Sequence, residues 1–265
     1  MTSARLSTLA TLRDRIERIE AQGDVLRLHR ISLGHAEADV ALQGGLAVGV
    51  MHEVFAEAGR QCAAATGFVA GLAGRVAPRR PLLWIRQDFC ELEAGALSMS
   101  GLNELGLDWR CLVTVRTADI EATLRASADA LACDALGAVV LEVWGETSKL
   151  DLVASRKLTL AAQASGVTAL VLRVAASPQP STAETRWIVR AAHSPPQASW
   201  TAWGAPRFDV ELVRNRHGRN GRWIMEWKCD ECLFTEPAAD SQPLAATPAH
   251  RPLQARAAEP RRRAG

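Results

Sequence analysis

Four arginines crowd one short stretch of this chain: Arg214, Arg216, Arg219 and Arg222, interleaved with Asn215, His217 and Asn220 and followed by Trp223 and Trp227. Guanidinium groups beside indoles can track a polyanion backbone and stack a base. The four arginines are therefore candidate DNA contacts, although a solvated hairpin turn uses the same residue types. A second constellation is Cys229-Asp230-Glu231-Cys232. Structural zinc takes four ligands. No second cysteine pair accompanies this one, and His217 and His250 stand at no standard spacing from it. The expectation is no metal and a structural or incidental role. The histidines are scattered, with no His-Glu-x-x-His pair, and Gly-x-Ser-x-Gly is absent. No catalytic residue is assigned. His52 lies in an apolar run and reads as a satisfied core residue.

The chain has 265 residues, 48% of them hydrophobic and 23% charged, which is ordinary globular composition. That length can bury a core without disulfide staples. Of 31 basic and 29 acidic residues, positions 236–265 hold five basic and three acidic, leaving 26 of each elsewhere. A neutral body argues against wholesale electrostatic wrapping of nucleic acid and leaves room for local basic patches. The start is charged and lacks a secretory apolar segment, and no apolar run approaches 18 residues. The six dispersed cysteines are read as reduced, in a cytoplasm.

The elements follow from periodicity. Leu9, Leu12, Ile16 and Ile19 form one apolar stripe over residues 3–21, which predicts a helix that docks onto a partner or onto its own domain. Apolar runs at 50–55, 81–86, 111–115, 137–143 and 167–174 predict strands, and 61–76, 118–134 and 149–165 predict helices between them. That alternation implies an α/β fold with a mostly parallel sheet and right-handed crossovers. Residues 185–191 read as a further strand. Phe208, Val210 and Leu212 alternate, as do Trp223, Met225 and Trp227, on either side of the turn sequence 217–221, which predicts an antiparallel hairpin. Residues 236–265, rich in Pro and Ala without aromatics, are expected to be disordered. The organisation read here is a helix and linker over 1–40, a core over 41–235 and a basic tail over 236–265.

The segment Gly44-Gly45-Leu46-Ala47-Val48-Gly49, running into Glu53-Val54-Phe55, resembles the entry to a RecA-type ATPase core. Within that superfamily the chain most resembles the ImuA family. The N-terminal Leu/Arg helix, the Gly44-to-Phe55 stretch and the hairpin Arg207–Arg216 with Gly221–Trp227 carry the likeness. It implies a RecA-like, P-loop NTPase-type core.

A phosphate loop reads G-x-x-x-x-G-K-[ST]: backbone N–H groups cradle phosphate, the Lys neutralises it and the hydroxyl holds Mg²⁺. After Phe55 this chain reads Ala56-Glu57-Ala58-Gly59-Arg60-Gln61-Cys62-Ala63. Aligned without gaps, Ala56 and Gln61 occupy the glycine positions, Cys62 the lysine and Ala63 the hydroxyl. Glu57 adds negative charge. A shifted frame offers Gly59-Arg60 as a substitute pair, but Gln61 brings no hydroxyl. By the same resemblance Glu142 stands at the metal-orienting acid and Asp88 near the catalytic carboxylate. With the cradle gone, both are expected to be relicts at strand ends, open to solvent.

The resemblance implies a non-catalytic accessory of error-prone translesion DNA synthesis, without cofactor. Its partners would be an ImuB-like relative of Y-family polymerases and an error-prone replicative-type DNA polymerase. DNA, RecA or a second copy are further partners the likeness admits. Leu9, Leu12, Ile16 and Ile19 are the partner-docking residues it favours. The competing readings are a SulA-like inhibitor of cell division and a true RecA-like DNA-dependent ATPase.

Overall fold

The computed structural model describes residues 28–195 and 204–238. The stripe Leu9, Leu12, Ile16 and Ile19 and nearly all of the basic tail lie outside them. In chain order the elements are β1 (Arg30–Ile31), α1 (Ala36–Ala41), β2 (Leu46–Ala47), β3 (Met51–Ala56), α2 (Cys62–Val76), β4 (Leu82–Gln87), α3 (Asp88–Ala94), α4 (Met99–Glu104), β5 (Leu112–Thr117), α5 (Ile120–Leu131), β6 (Ala138–Trp144), α6 (Leu152–Ser165), β7 (Thr168–Val174), β8 (Thr185–Ala191), β9 (Arg207–Asn215), β10 (Gly221–Lys228) and β11 (Leu233–Thr235).

Nine strands form one sheet in the order β11-β10-β9-β8-β3-β7-β6-β4-β5. The six strands from β8 to β5 are parallel, and β9, β10 and β11 continue the sheet antiparallel. The α/β expectation thus holds, and the predicted hairpin is an extension of the main sheet. Strands β3 and β7 are buried along their whole length, because helices cover both faces there. Alternation assigns their side chains to two cores. Val54, Leu170 and Leu172 face α2, while Met51, Ala169 and Val171 join Leu158 and Ala162 of α6.

Helix α2 can lie close to the sheet because it is built of Ala and Gly. A Cβ added at Gly71 would stand 2.6 Å from the Phe234 ring. Around that helix Phe68, Phe208, Phe234, Trp187 and Trp227 pack ring against ring at 4.6–6.2 Å. Asp119 and Asp151 cap α5 and α6 by accepting the N–H groups of Ala122 and Ala154, and Gly166 ends α6 in the left-handed region.

The boundary expected at residue 40 runs through folded structure. Arg30–Ile31 pairs antiparallel with Leu46–Ala47, and Leu33 is fully buried in the core. The Gly44-Gly45 pair is explained by this contact. Both have positive φ, and a Cβ on Gly45 would collide with the Ile31 carbonyl. The two ends of the sheet differ. At β11 the Phe234 N–H donates to the Leu33 carbonyl, so the outer side is covered, whereas β5 is paired only with β4 among the described residues. No helix among the described residues is long and apolar enough to cross a membrane.

His52 is a core residue, as its position suggested. It is fully buried, with Nδ1 2.7 Å from the Thr185 hydroxyl and Nε2 2.8 Å from the Ala47 carbonyl. Burial pushes its pKa down to about 4. The unfolded chain therefore takes up this proton first as pH falls. Stability is expected to be intact above about pH 6.5 and to decline between there and pH 4, by up to about 3 kcal/mol from this group. Urea unfolding across that range, compared with His52→Gln, checks it: the variant should flatten this part of the profile.

Candidate functional site

Strand β3 delivers the phosphate-loop segment to the C-terminal end of the sheet, between β8 and the start of α2. The segment is held there by side chains that a nucleotide would have to displace. Glu57 accepts from Arg190 of β8 (Nε 3.1 Å, Nη2 2.8 Å), and the Gln61 side-chain oxygen accepts the Ala191 N–H at 2.8 Å. Gly59 lies under the Trp144 ring, 3.1 Å from where a Cβ would stand. Cys62, at the lysine position, is buried in the α2-side core, and burial raises its thiol pKa. Ala63 brings no oxygen. Arg60 is exposed and has no partner among the described residues.

The cation of the shifted frame therefore exists, on the wall of a cleft of about 460 Å³. The facing wall is the α3–α4 connector with Leu102 and Leu105. The lining also includes the Thr66 and Ser98 hydroxyls. The rest is largely apolar or backbone.

The two acids have different fates, and one corrects the sequence reading. Glu142 is not open to solvent. It is fully buried, and its carboxylate is occupied on both oxygens: Arg86 Nε donates at 2.7 Å and Nη2 at 3.0 Å, and the Trp84 indole N–H donates at 2.9 Å. The register makes this pair, since Arg86 of β4 lies directly beside Glu142 of β6. The third arm of Arg86 donates to the Gly95 carbonyl at 3.1 Å and so anchors the connector that walls the cleft. Three of the roughly four lone-pair sites of this carboxylate are taken, and the paired guanidinium puts a positive charge where a metal would bind. Asp88 is partly exposed, closer to expectation, and is held by Arg116 of the edge strand β5 at 2.8 Å. Sequence reasoning missed Arg86; the only signal was an arginine two residues after Trp84 inside an apolar run.

A second buried cluster was also missed. Glu53, in β3, accepts from Arg186 and from the Ser181 hydroxyl, each at 2.8 Å. Arg186 and Arg173 both sit over the Phe55 ring, at 5.7 and 5.8 Å. Arg173 is buried, donates to the Gly145 carbonyl and leaves its Nε without a partner, and burial lowers its pKa.

The hairpin does not present the four arginines as one patch. Arg222 lies on β10 and pairs with Asp209 of β9 at 2.6 Å. Arg214 donates to the Ser181 carbonyl at 2.7 Å. Arg216 and Arg219 are exposed at the turn with no side-chain partner among the described residues. Among the described residues neither indole lies fully open beside the turn. Trp227 is buried and donates to the Leu105 carbonyl, and Trp223 packs against Trp187 and His35. The solvent face of β8–β10 is instead a ladder of ion pairs, with Arg190–Glu211 and Arg207–Glu226 beside Arg222–Asp209. Cys229 and Cys232 form the turn between β10 and β11, where the Cys232 thiol lies 3.6 Å from the Gly106 carbonyl.

Over 214 residues the chain is 31% identical to Protein ImuA of Caulobacter vibrioides strain NA1000 / CB15N, a match spanning 74% of this chain and 82% of that protein. The chain belongs to the ImuA family. Protein ImuA of strain ATCC 19089 / CIP 103742 / CB 15 of the same species matches equally, and no family model matches. In this ImuA-family chain, then, the segment Glu57–Gln61 is fastened to β8, and Glu142 is fastened to Arg86 of β4.

Proposed function

We propose that this ImuA-family chain is a non-catalytic, cytoplasmic accessory of damage-induced mutagenesis. It would use a RecA-like core as an adaptor for an ImuB-like partner and an error-prone DNA polymerase. The six parallel strands, with β3 leading through a loop into α2, support the RecA-like reading. One observation carries the adaptor reading: apart from Arg60, the groups at these positions are missing or already engaged, since Glu57 holds Arg190, Gln61 holds Ala191 and Glu142 holds Arg86. Phosphoryl transfer needs preorganised positive charge at the transferring group, and Arg60 is an exposed cation that no side chain among the described residues orients. Any DNA contact by the hairpin falls to Arg216 and Arg219.

Full-length protein incubated with ATP, Mg²⁺ and single-stranded DNA is expected to release no phosphate above the protein-free control. It should show no tight, Mg²⁺-dependent ATP binding. Turnover would sink the adaptor reading in favour of the ATPase. In cells, removing the chain is expected to lower damage-induced mutation frequency, and overproducing it is expected to leave cell length unchanged. Filamentation on overproduction would instead support the SulA-like inhibitor.

A further inference from the structure

Among the described residues the sheet face opposite α2 carries α5 and α6 as its helical layer, and nothing described packs on their outer side. Between them runs a groove of about 210 Å³ with Leu124 and Ala128 of α5 and Ala154 and Leu158 of α6 along it. Beside it α6 exposes Val153 and Leu160, at 75% and 54% of their full surface. With Lys157 between them, spacings of four and three place these residues on one strip of the helix. A stable surface helix turns its apolar side inward; α6 has apolar residues on both sides.

Most of the charge around this strip is basic, with Asp129 of α5 and the helix caps Asp119 and Asp151 as the acids outside an ion pair. Arg125, Arg156 and Lys157 have no ion-pair partner among the described residues, while Lys149 and Glu121 satisfy each other at 2.8 Å. Helix α6 contains no acid, and on α5 Asp129 is the one acid outside that pair.

We infer that the α5–α6 groove seats an acidic amphipathic helix of a partner protein. Its apolar residues, at spacings of three and four, would cover Val153, Leu160 and the groove floor, and its carboxylates would meet Arg125, Arg156 and Lys157. The parts of this chain outside the described residues do not supply the charge: residues 1–27 hold five basic and four acidic residues, and 239–265 five basic and two acidic. A second copy packed through the same face would oppose cation to cation. Nucleic acid would satisfy the cations and leave the valine and leucine in water. The inference does not depend on the absence of ATP turnover or on the mutagenesis role.

The test places a photo-crosslinking amino acid at position 153 of the full-length chain, in the cells that make it, and sequences the crosslinked peptide. The expected product is a segment of another protein with net negative charge and apolar residues at helical spacing. Arg125→Glu with Lys157→Glu should cut that product at least tenfold while the thermal unfolding midpoint stays in place. The same label at Val40, exposed but remote from the groove, should not give it. Crosslinks to this chain itself, to nucleic acid, to lipid or to a basic segment would overturn the inference. So would no crosslink, or an undiminished one in the charge-reversed variant. If the double substitution lowers the unfolding midpoint, Leu160→Glu alone is used, with the same loss expected and an undiminished product again overturning it.

Discussion

Arg86→Ala is expected to destabilise the chain by about 3–5 kcal/mol, the range for leaving one member of a buried ion pair behind. Glu142 would keep only the Trp84 indole, and the α3–α4 connector would lose its anchor at Gly95. Urea unfolding reads the loss as a lower midpoint. Replacing both members, Arg86→Met with Glu142→Leu, should recover most of it, because the desolvation cost leaves with the charges. Magnesium adds a second readout. If Glu142 were a metal-orienting acid released by the substitution, Mg²⁺ would restore stability to the single variant. No rescue is expected, and a loss under about 1 kcal/mol would mean the pair is unimportant.

Glu53→Ala should be comparably severe, at about 3–5 kcal/mol. It removes the carboxylate bonded to Arg186, one of two buried cations sharing the Phe55 ring, and leaves Arg186 with only the neutral acceptors of Gln179 and Ser181. Arg173 already has one unsatisfied nitrogen and would keep only the more exposed Glu146 near it. Glu53→Ala with Arg186→Met should lie nearer wild type than Glu53→Ala alone in the same unfolding measurement. Equal losses in both would show that Glu53 acts through packing alone and not through its charge.

How legible these features were depends on the range of the signal. The strands at 138–144 and 168–174 were readable because each is a near-continuous apolar run bounded by turn residues, whereas 185–191 carries two arginines and only Trp187-Ile188-Val189 signals it. Helices α3 and α4, of seven and six residues, went unread, since neither completes two turns of a periodic pattern. The two-residue strands β1 and β2 were equally invisible, and so the domain was taken to start too late. The departure of Ala56–Ala63 from the G-x-x-x-x-G-K-[ST] pattern is legible in eight consecutive residues. The fate of Glu142 was not, because its partner lies 56 positions away and becomes a neighbour only through the β4–β6 register. Buried Glu53 was masked by the same effect: a charged residue in a strand reads as an outward one until the covering layer is known. The arginine cluster failed for a related reason. Alternation along β9 and β10 sends Arg222 and the two tryptophans to opposite faces, which adjacency in sequence conceals.

The two margins of the sheet set what crowding can do to this molecule. One margin is three residues long and capped by Leu33; the other, β5, is six residues long and has no strand on its outer side among the described residues. Copies meeting margin to margin at high concentration can join β5 to β5 and then have nothing left to offer. Such growth stops at two, where a protein with two bare margins would propagate into a fibre.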